Sequence, residues 1–183
     1  VSNMKIAVFF TYQYSINTLI DSGIFDREMK IYRKLSEKFN IDFLFFTYES
    51  HPENEFTHSG LRFIPLYNFV SFSNNKIVMF FKSIIIPFKI KNIVSDIDIF
   101  HQHQLLGSWI PLVLKVVTKK PLVTRTGYDA YQFSIKNKEG FLKTTFYKLL
   151  TKITLKYSNI YTVTSIADIN FLTSKFKIKD IKL

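Results

Sequence analysis

Short apolar runs alternate along the chain with longer segments in which apolar residues recur every three or four positions. The short runs predict β-strands at 5–10, 41–48, 61–67, 98–103, 121–126 and 160–165. After a loop to Gly23, the longer segments predict a first helix with Asp26 as its N-cap. Further helices are predicted at 76–95, with an interruption at Pro87, and at 105–118, 139–157 and 166–176. The last residues, IKDIKL, begin like another strand. This alternation predicts an α/β fold with a mostly parallel central sheet of about six or seven strands flanked by helices.

Composition excludes several classes of protein. With 47% hydrophobic and 21% charged residues, the chain can bury a substantial core, which excludes intrinsic disorder. The longest apolar stretch, IVMFFKSIIIPFKI, is cut by Lys82, Pro87 and Lys89, and this excludes a transmembrane helix. The absence of cysteine excludes disulfides and thiolate zinc sites and favours the cytoplasm.

The net charge of +11 raises the question of an anionic partner. Only four of the 25 basic residues are arginine, whereas reading of nucleic-acid bases favours the bidentate arginine fork. We therefore expect no nucleic-acid partner. The lysines indicate either an anionic surface as partner or the amino-acid usage of a biased genome.

Glycine spacing argues against a nucleotide cofactor. The five glycines are far apart, and neither G-x-G-x-x-G nor a P-loop occurs. G-x-S-x-G is absent as well, so a hydrolase nucleophile elbow is not expected. We expect no cofactor.

Two short motifs could in principle bind a metal. Asp96 and Asp98 form a D-x-D pattern, but they precede a strand, whereas ligands gather beyond the carboxyl ends of strands, so we interpret them as strand-entry residues. His101 and His103, two apart on a strand, point to one face at its carboxyl end. Zinc would need a third ligand, and none stands at a suitable spacing, so we expect no metal. A buried hydrogen-bonded role and hydrogen bonds to a polar ligand both remain open.

The helix at 139–157 carries a basic face formed by Lys143, Lys148, Lys152 and Lys156. Its apolar stripe, predicted on the opposite side, comprises Leu142, Phe146, Leu149, Leu150, Ile153 and Tyr157. Such a helix is either an ordinary amphipathic helix with solvated lysines or one that rests on anionic lipid headgroups. The second interpretation predicts a peripheral protein on the inner face of the cell membrane.

Several segments together resemble the N-terminal domain of family-4 retaining glycosyltransferases, which is one Rossmann-like half of a GT-B fold. These segments are DREMKIYRKL, FFTYES, DIFHQH, PLVTRTGYD and YTVTSIADINFL, and the resemblance covers essentially all 183 residues in order. It implies the acceptor-binding half of an enzyme that transfers a sugar from a nucleotide-sugar donor to a growing cell-surface polysaccharide or glycolipid. The partners implied are the donor and a saccharide or lipid-linked acceptor.

The resemblance also implies a set of substrate-binding residues at the rim of a cleft. They are His101, His103, Arg125, Thr126, Gly127, Asp129 and Ser165, with further contacts from the first loop at Tyr12, Gly23 and Arg27. Gly127 is expected to permit the turn after the strand. No residue can be assigned a catalytic role.

Three departures from the family pattern matter. Thr126 replaces the family's usual histidine before the loop glycine, and Gly23 alone remains of the glycine pair after the first strand. No two glutamates stand eight apart, so the family's E-x7-E motif is missing. We therefore expect 1–183 to be a single domain whose nucleotide-sugar-binding C-terminal partner is absent, and to be inactive alone.

Two alternatives remain. The chain could be a non-catalytic binding module that pairs with a separate donor domain. It could also be a nucleic-acid-binding α/β protein, but the lysine helix lacks the interleaved aromatics that stack on bases, so this interpretation ranks last.

Overall fold

A twisted central sheet organises the molecule. The computed structural model describes residues 3–127 and 129–176. Within them, seven strands pair in the order β3-β4-β2-β1-β5-β6-β7, and all neighbours are parallel except β3 and β4. This confirms the predicted α/β, mostly parallel architecture. The strands are β1 (Met4–Phe9), β2 (Ile41–Thr47), β3 (Phe56–His58), β4 (Leu61–Pro65), β5 (Ile99–Gln102), β6 (Leu122–Arg125) and β7 (Ile160–Thr162).

Seven α-helices in the described residues flank this sheet, together with a 3-10 turn at Leu66–Phe69. They are α1 (Ile16–Asp21), α2 (Phe25–Phe39), α3 (Lys76–Ile90), α4 (Trp109–Thr118), α5 (Ala130–Lys136), α6 (Phe141–Tyr157) and α7 (Ile166–Phe176). The strand-like IKDIKL segment at 178–183 lies outside the described residues.

The core forms on both faces of the sheet because side chains alternate along each strand. Ala7 and Phe9 of β1 face a layer that contains the buried residues of α3 and α4. Val8 and Phe10 face the other way, towards α1 and α2. The Phe9 ring stacks on Phe46 of β2 at 4.7 Å between centroids. Burial of such rings, worth about 1.5–3 kcal/mol each, holds the sheet between its helices.

The segment between β1 and α2 is more ordered than the predicted loop. Ser15 caps α1 by accepting a hydrogen bond from the Thr18 N–H at 3.0 Å. After α1, Gly23 adopts φ +68°, in the left-handed region that favours glycine. The chain then re-enters a helix with Ile24 as N-cap, so the prediction of Asp26 as N-cap is wrong. Asp26 lies in the first turn of α2, where its charge complements the helix dipole.

Two further elements differ from the sequence prediction. β3 and β4 form a hairpin around Ser59 and Gly60, which both have positive φ, and the sequence analysis missed β3 because it has only three residues. The helix predicted at 76–95 ends at Ile90 and runs through Pro87 without interruption. Pro87 is buried with Ile86 and Ile90, so packing against the sheet offsets the hydrogen bond that proline removes.

The strand order reverses at β1, and this places the candidate site. From β1 the chain crosses through α2 to β2 on one side, and β5 pairs with β1 on the other. In open parallel sheets, ligands bind in the crevice beyond the carboxyl ends of the strands at such a switch point. The loops after β1, β5 and β6 meet there.

Candidate functional site

A cleft of about 380 Å³ opens at this switch point. Its walls are the loops after β1, β5 and β6 and the first turns of α2. The polar and charged side chains that line it are Thr11, Tyr14, Arg27, Glu28, His103, Gln104 and Arg125. The cleft is therefore a concave site with apolar walls and a few convergent polar groups, which is the usual form of a small-molecule site.

Three charged or titratable side chains meet at the base of the cleft. Nε2 of His103 lies 3.2 Å from Oε2 of Glu28. Nη1 of Arg125 lies 3.3 Å from the same histidine nitrogen and 3.7 Å from Oε2 of Glu28. A guanidinium only donates, so His103 can hydrogen-bond Glu28 through Nε2–H while Arg125 contributes its charge. Arg27 pairs with the other oxygen of Glu28 at 3.1 Å.

The cluster fixes the charge of each member. Burial alone would raise the pKa of Glu28, but His103, Arg27 and Arg125 together hold that pKa below its ordinary value. Burial and the Arg125 charge lower the pKa of His103, against the opposing effect of Glu28. His103 is therefore neutral and Glu28 ionised at neutral pH. The two arginines against one carboxylate leave the cleft with a net positive charge.

His101 lies deeper than His103 and faces the same helix. Burial is the largest cause that lowers the pKa of His101, and with the charges of His103 and Arg125 it brings this pKa to about 4. The Tyr32 hydroxyl lies 3.4 Å from its Nδ1. Among the described residues no group of three His, Asp or Glu side chains could hold a metal ion. His101 packs and positions α2, and it lines a neighbouring cavity of about 680 Å³ beside the apolar residues of that helix.

The loop after β6 is held by the loop after β5. The Gly127 N–H donates to Oε1 of Gln104 at 3.0 Å. A Cβ at Gly127 would come within 3.0 Å of the Gln104 amide nitrogen. The φ of Gly127 is not among the positive ones, so the turn itself does not need glycine as the sequence analysis expected, and the missing Cβ instead leaves room for the Gln104 amide. The backbone of Gly127 thus forms part of the cleft wall.

Thr126 and Asp129 turn inward from the same loop. Both are buried, with Asp129 only 1% exposed. Thr126 donates its N–H to Thr162 O at 2.9 Å. Asp129 caps α5 by accepting from the Gln132 N–H at 2.6 Å. The structure therefore brings Arg125 and Gly127 to the cleft, whereas Thr126 and Asp129 lie in the interior.

Three of the four remaining predicted contacts lie apart from the cleft. Ser165 caps α7, since its hydroxyl accepts from the Asp168 N–H at 3.1 Å and contacts the Asp168 carboxylate at 2.6 Å. The Tyr12 ring packs edge-on against Tyr48 and Trp109 on the α3 side of the sheet. Gly23 ends α1 and lines neither cavity, whereas its neighbour on α2, Arg27, lines both.

The D-x-D pair joins strands at the opposite end of the sheet. Asp98 accepts the Lys5 N–H at 2.8 Å, and Asp96 pairs with the Lys5 ammonium. Both carboxylates thereby fix the start of β5 beside β1. This agrees with the interpretation of Asp96 and Asp98 as strand-entry residues.

The lysine face of α6 is exposed, but its apolar stripe is not the core face. Lys148, Lys152 and Lys156 are exposed, and Lys143 pairs with Glu139 at 2.8 Å. The buried side consists of Leu150, Thr151 and Thr154, so most of the apolar stripe named in the sequence analysis does not face the core. Leu142, Leu149, Ile153 and Tyr157 are exposed. The helix directs small hydroxyl residues towards α4. The hydroxyl oxygens of Thr154 and Ser108, the residue that precedes α4, lie 3.1 Å apart.

The sequence analysis missed Glu28 and Gln104. A signal for Glu28 was present, since apolar residues at 25, 29 and 32 define the buried face of α2, and position 28 falls on that face. A carboxylate at an apolar periodic position requires a partner, and Arg125 and His103 supply it. Gln104 has no comparable signal, because it lies in an irregular loop.

Known structures share this fold. No protein-family profile and no curated protein sequence matches the chain. A sucrose-phosphate synthase from Thermosynechococcus elongatus superimposes with a TM-score of 0.69 at 11% identity, over 99% of this chain and 47% of that one. A second structure of that synthase gives 0.63 at 12% identity, over 98% and 86%. A glycosyltransferase from Rickettsia africae ESF-5 gives 0.54 at 14% identity, over 100% and 42%.

These similarities establish the fold alone. The chain has the α/β fold of these glycosyltransferases, and it spans less than half the length of two of the three matched chains. In 3–127 and 129–176, no helix combines the length and the apolar character needed to cross a membrane.

Proposed function

We propose that this chain is the acceptor-binding part of a retaining glycosyltransferase of family 4, with the two-domain GT-B architecture. The enzyme would transfer a sugar from a nucleotide-sugar donor to a cell-surface polysaccharide or glycolipid. The observation that supports this most directly is the cationic cleft at the carboxyl ends of β1, β5 and β6, in a fold shared with glycosyltransferases.

The chemistry of the cleft suits a phosphorylated or otherwise anionic saccharide. Arg27 and Arg125 provide guanidinium donors, which bind phosphate and carboxylate oxygens in a bidentate manner. Neutral His103 keeps its Nδ1 as an acceptor and the Gln104 amide keeps its N–H donors, so the two together are suited to sugar hydroxyls. Glu28 pairs with both arginines, and because a guanidinium has five N–H donors, each arginine keeps donors for a ligand.

The cleft would form one wall of the complete active site. A retaining transfer needs the leaving diphosphate to be stabilised by preorganised cations and N–H donors. In the proposed enzyme a second domain supplies that function, and the present chain orients the acceptor. A membrane-facing role of α6 is a separate proposal.

Binding of a sugar phosphate by the isolated chain tests the cleft. We expect glucose 1-phosphate to shift the amide resonances of Gly127 and Gln104 and the Nε–H resonance of Arg125 in the isotope-labelled protein. Arg125→Gln should weaken binding roughly ten- to a hundredfold, the range for loss of a hydrogen bond to a charged group.

Arg62→Gln is the matched control, since Arg62 is also an ion-paired and half-exposed arginine but lies on β4, outside both cavities. This variant should bind like the parent. Equal affinity of the Arg125→Gln and Arg62→Gln variants, or resonance shifts confined to residues outside the cleft, would contradict the proposed site.

A further inference from the structure

Helix α3 carries two apolar stripes, although a helix at the surface of a sheet needs only one. Met79, Ser83, Ile86 and Ile90 form the buried stripe. Ile77, Phe81, Ile84 and Phe88 form a second, which we term the outer stripe, and three of its members are more than 60% exposed. At about 100° per residue the outer stripe occupies roughly a 60° sector opposite the buried one.

An exposed stripe of this size is costly in water. A helix that is apolar on all sides is normally buried in a protein or in a lipid. Two isoleucines and two phenylalanines at spacings of four, three and four form a continuous patch along the whole length of α3. Such contiguous patches mark interaction surfaces, in contrast to single exposed apolar residues.

The charges around the outer stripe identify its partner. No acidic residue occurs between 56 and 95, whereas Lys76, Lys82, Lys89 and Lys91 lie on α3 or directly after it. A second copy of the chain, paired by two-fold symmetry, would place lysine against lysine around the patch. An anionic lipid surface satisfies both the apolar stripe and the lysines, as in helices that lie in the membrane interface.

The neighbouring helix extends the apolar surface of α3. The Phe80 ring of α3 meets the Phe146 ring of α6 at 5.8 Å between centroids, so the N-terminal halves of the two helices are adjacent. Beside this contact α6 exposes Leu142 and Leu149, which stand four residues before and three residues after Phe146. α6 therefore adds apolar side chains to the surface that α3 begins.

We propose that α3 inserts its outer stripe into the headgroup region of an anionic bilayer, with the flanking lysines at the phosphates. The helix then lies in the plane of the interface and holds the sheet against the membrane. This inference does not depend on sugar transfer, because it concerns binding to lipid alone.

Vesicle binding by paired variants tests the proposal. We compare the parent, the double variant Phe81→Ser with Phe88→Ser, and the control Phe39→Ser. Phe39 is exposed to a similar degree but lies at the end of α2, on the other face of the sheet. On phosphatidylcholine vesicles that contain phosphatidylglycerol, we expect the double variant to lose partitioning by roughly tenfold per ring removed, and the control to bind like the parent.

A fluorescent label locates the inserted residue. The chain has no cysteine, so Phe81→Cys carries one environment-sensitive dye, and Phe39→Cys carries the same dye as control. We expect the emission to shift to the blue on vesicles for position 81 only, with circular dichroism verifying that each variant is folded.

Three outcomes would overturn the proposal. The first is equal vesicle binding of the double variant and the parent. The second is an unchanged emission of the dye at position 81. The third is a dimer of the parent, in sedimentation without lipid, that dissociates in the double variant, which would show that a second copy covers the outer stripe.

Discussion

Asp129 shows how a single side chain in the β6–α5 loop determines stability. Its carboxylate is buried, one oxygen caps α5, and Oδ2 has no hydrogen-bond partner among the described residues. Burial raises the pKa of Asp129 to about 6, and the Asp168 charge adds to the effect against the Gln132 N–H. The folded protein therefore holds this proton more tightly than the unfolded chain does, and the ionised form destabilises the fold.

We predict that the Asp129→Asn substitution favours the folded state more at neutral pH than at acid pH. Protonation of Asp129 contributes stability that is fully present below the unfolded pKa and is lost as pH rises through about 6. Asparagine keeps the capping oxygen but cannot ionise. The free energy of unfolding of the variant minus that of the parent should therefore rise by about 1–3 kcal/mol between about pH 5 and about pH 7.5, measured by urea unfolding.

Asp26→Asn serves as the comparison for this effect, because Asp26 is an exposed aspartate at the start of another helix. It should show no comparable change over the same pH range. A difference between parent and Asp129→Asn that stays constant with pH would mean that Asp129 does not bind a proton in this way.

At the scale of elements, α6 separates two roles within one helix. Its hydroxyl residues at 151 and 154 pack inward, and its lysines and larger apolar side chains point outward. A helix that needed only solubility would not expose Leu142 and Leu149 beside its lysines. The exposed face is therefore suited to a surface that is both anionic and apolar.

We predict that the triple change Lys148→Glu, Lys152→Glu and Lys156→Glu abolishes the salt-sensitive part of binding to anionic vesicles. Each lysine near such a surface contributes about 1 kcal/mol, and this attraction is screened as salt rises. Sedimentation with vesicles at low and high salt measures the effect. The same three changes to Gln form the control for charge reversal and should give a partial loss.

The fold of the variant should be unaffected, because all three lysines are exposed. Binding of the parent to neutral vesicles as strongly as to anionic ones would instead show that the lysines are merely solvated.

At the scale of the whole molecule, charge is distributed unevenly along the chain. Eight of the 14 acidic residues lie between 21 and 55, in and around α1, α2 and β2. The segment from 56 to 167 has four acidic residues and 15 basic ones. The segment from 21 to 55 is thus electrically mixed, and the segment from 56 to 167 is strongly positive.

We predict that the isolated chain neither transfers sugar from any nucleotide-sugar nor binds nucleoside diphosphates tightly. The sequence lacks the E-x7-E, G-x-G-x-x-G and P-loop patterns. Calorimetry with UDP and GDP, and mass spectrometry of reactions with their sugars, check this. Micromolar binding of either diphosphate would contradict it and would place a donor site within these residues.

Much of the fold could be predicted from the sequence, and the reason differs between elements. Long helices such as α2 show several turns of periodicity, and buried parallel strands such as β2 stand out as apolar runs. α1, β3 and α5 are too short for a period to show, and they form through caps and pairing with neighbours. Tertiary packing, which propensity does not capture, keeps Pro87 inside α3.

The candidate site could be predicted only in part. The position of Arg125 at the end of a strand indicated that it lies at the sheet edge that bears the cleft, and the structure places it there. Arg125 could not be distinguished from Asp129, four residues later, by pattern alone, because the direction of each side chain depends on how the loop packs against β7 and α5. Glu28 belonged to a periodic stripe and could have been found by that criterion.

Trp109 gives this protein a built-in optical reporter. It is the only tryptophan in the chain, its indole N–H donates to Ser83 of α3 at 3.0 Å, and its ring contacts Phe80 and Tyr12. The indole thus bridges α3, the start of α4 and the loop after β1. Its emission wavelength and its quenching by iodide record whether α3 stays attached to the sheet, separately from the far-ultraviolet signal of the whole chain. Detachment of this one helix can therefore be followed in real time, without any label.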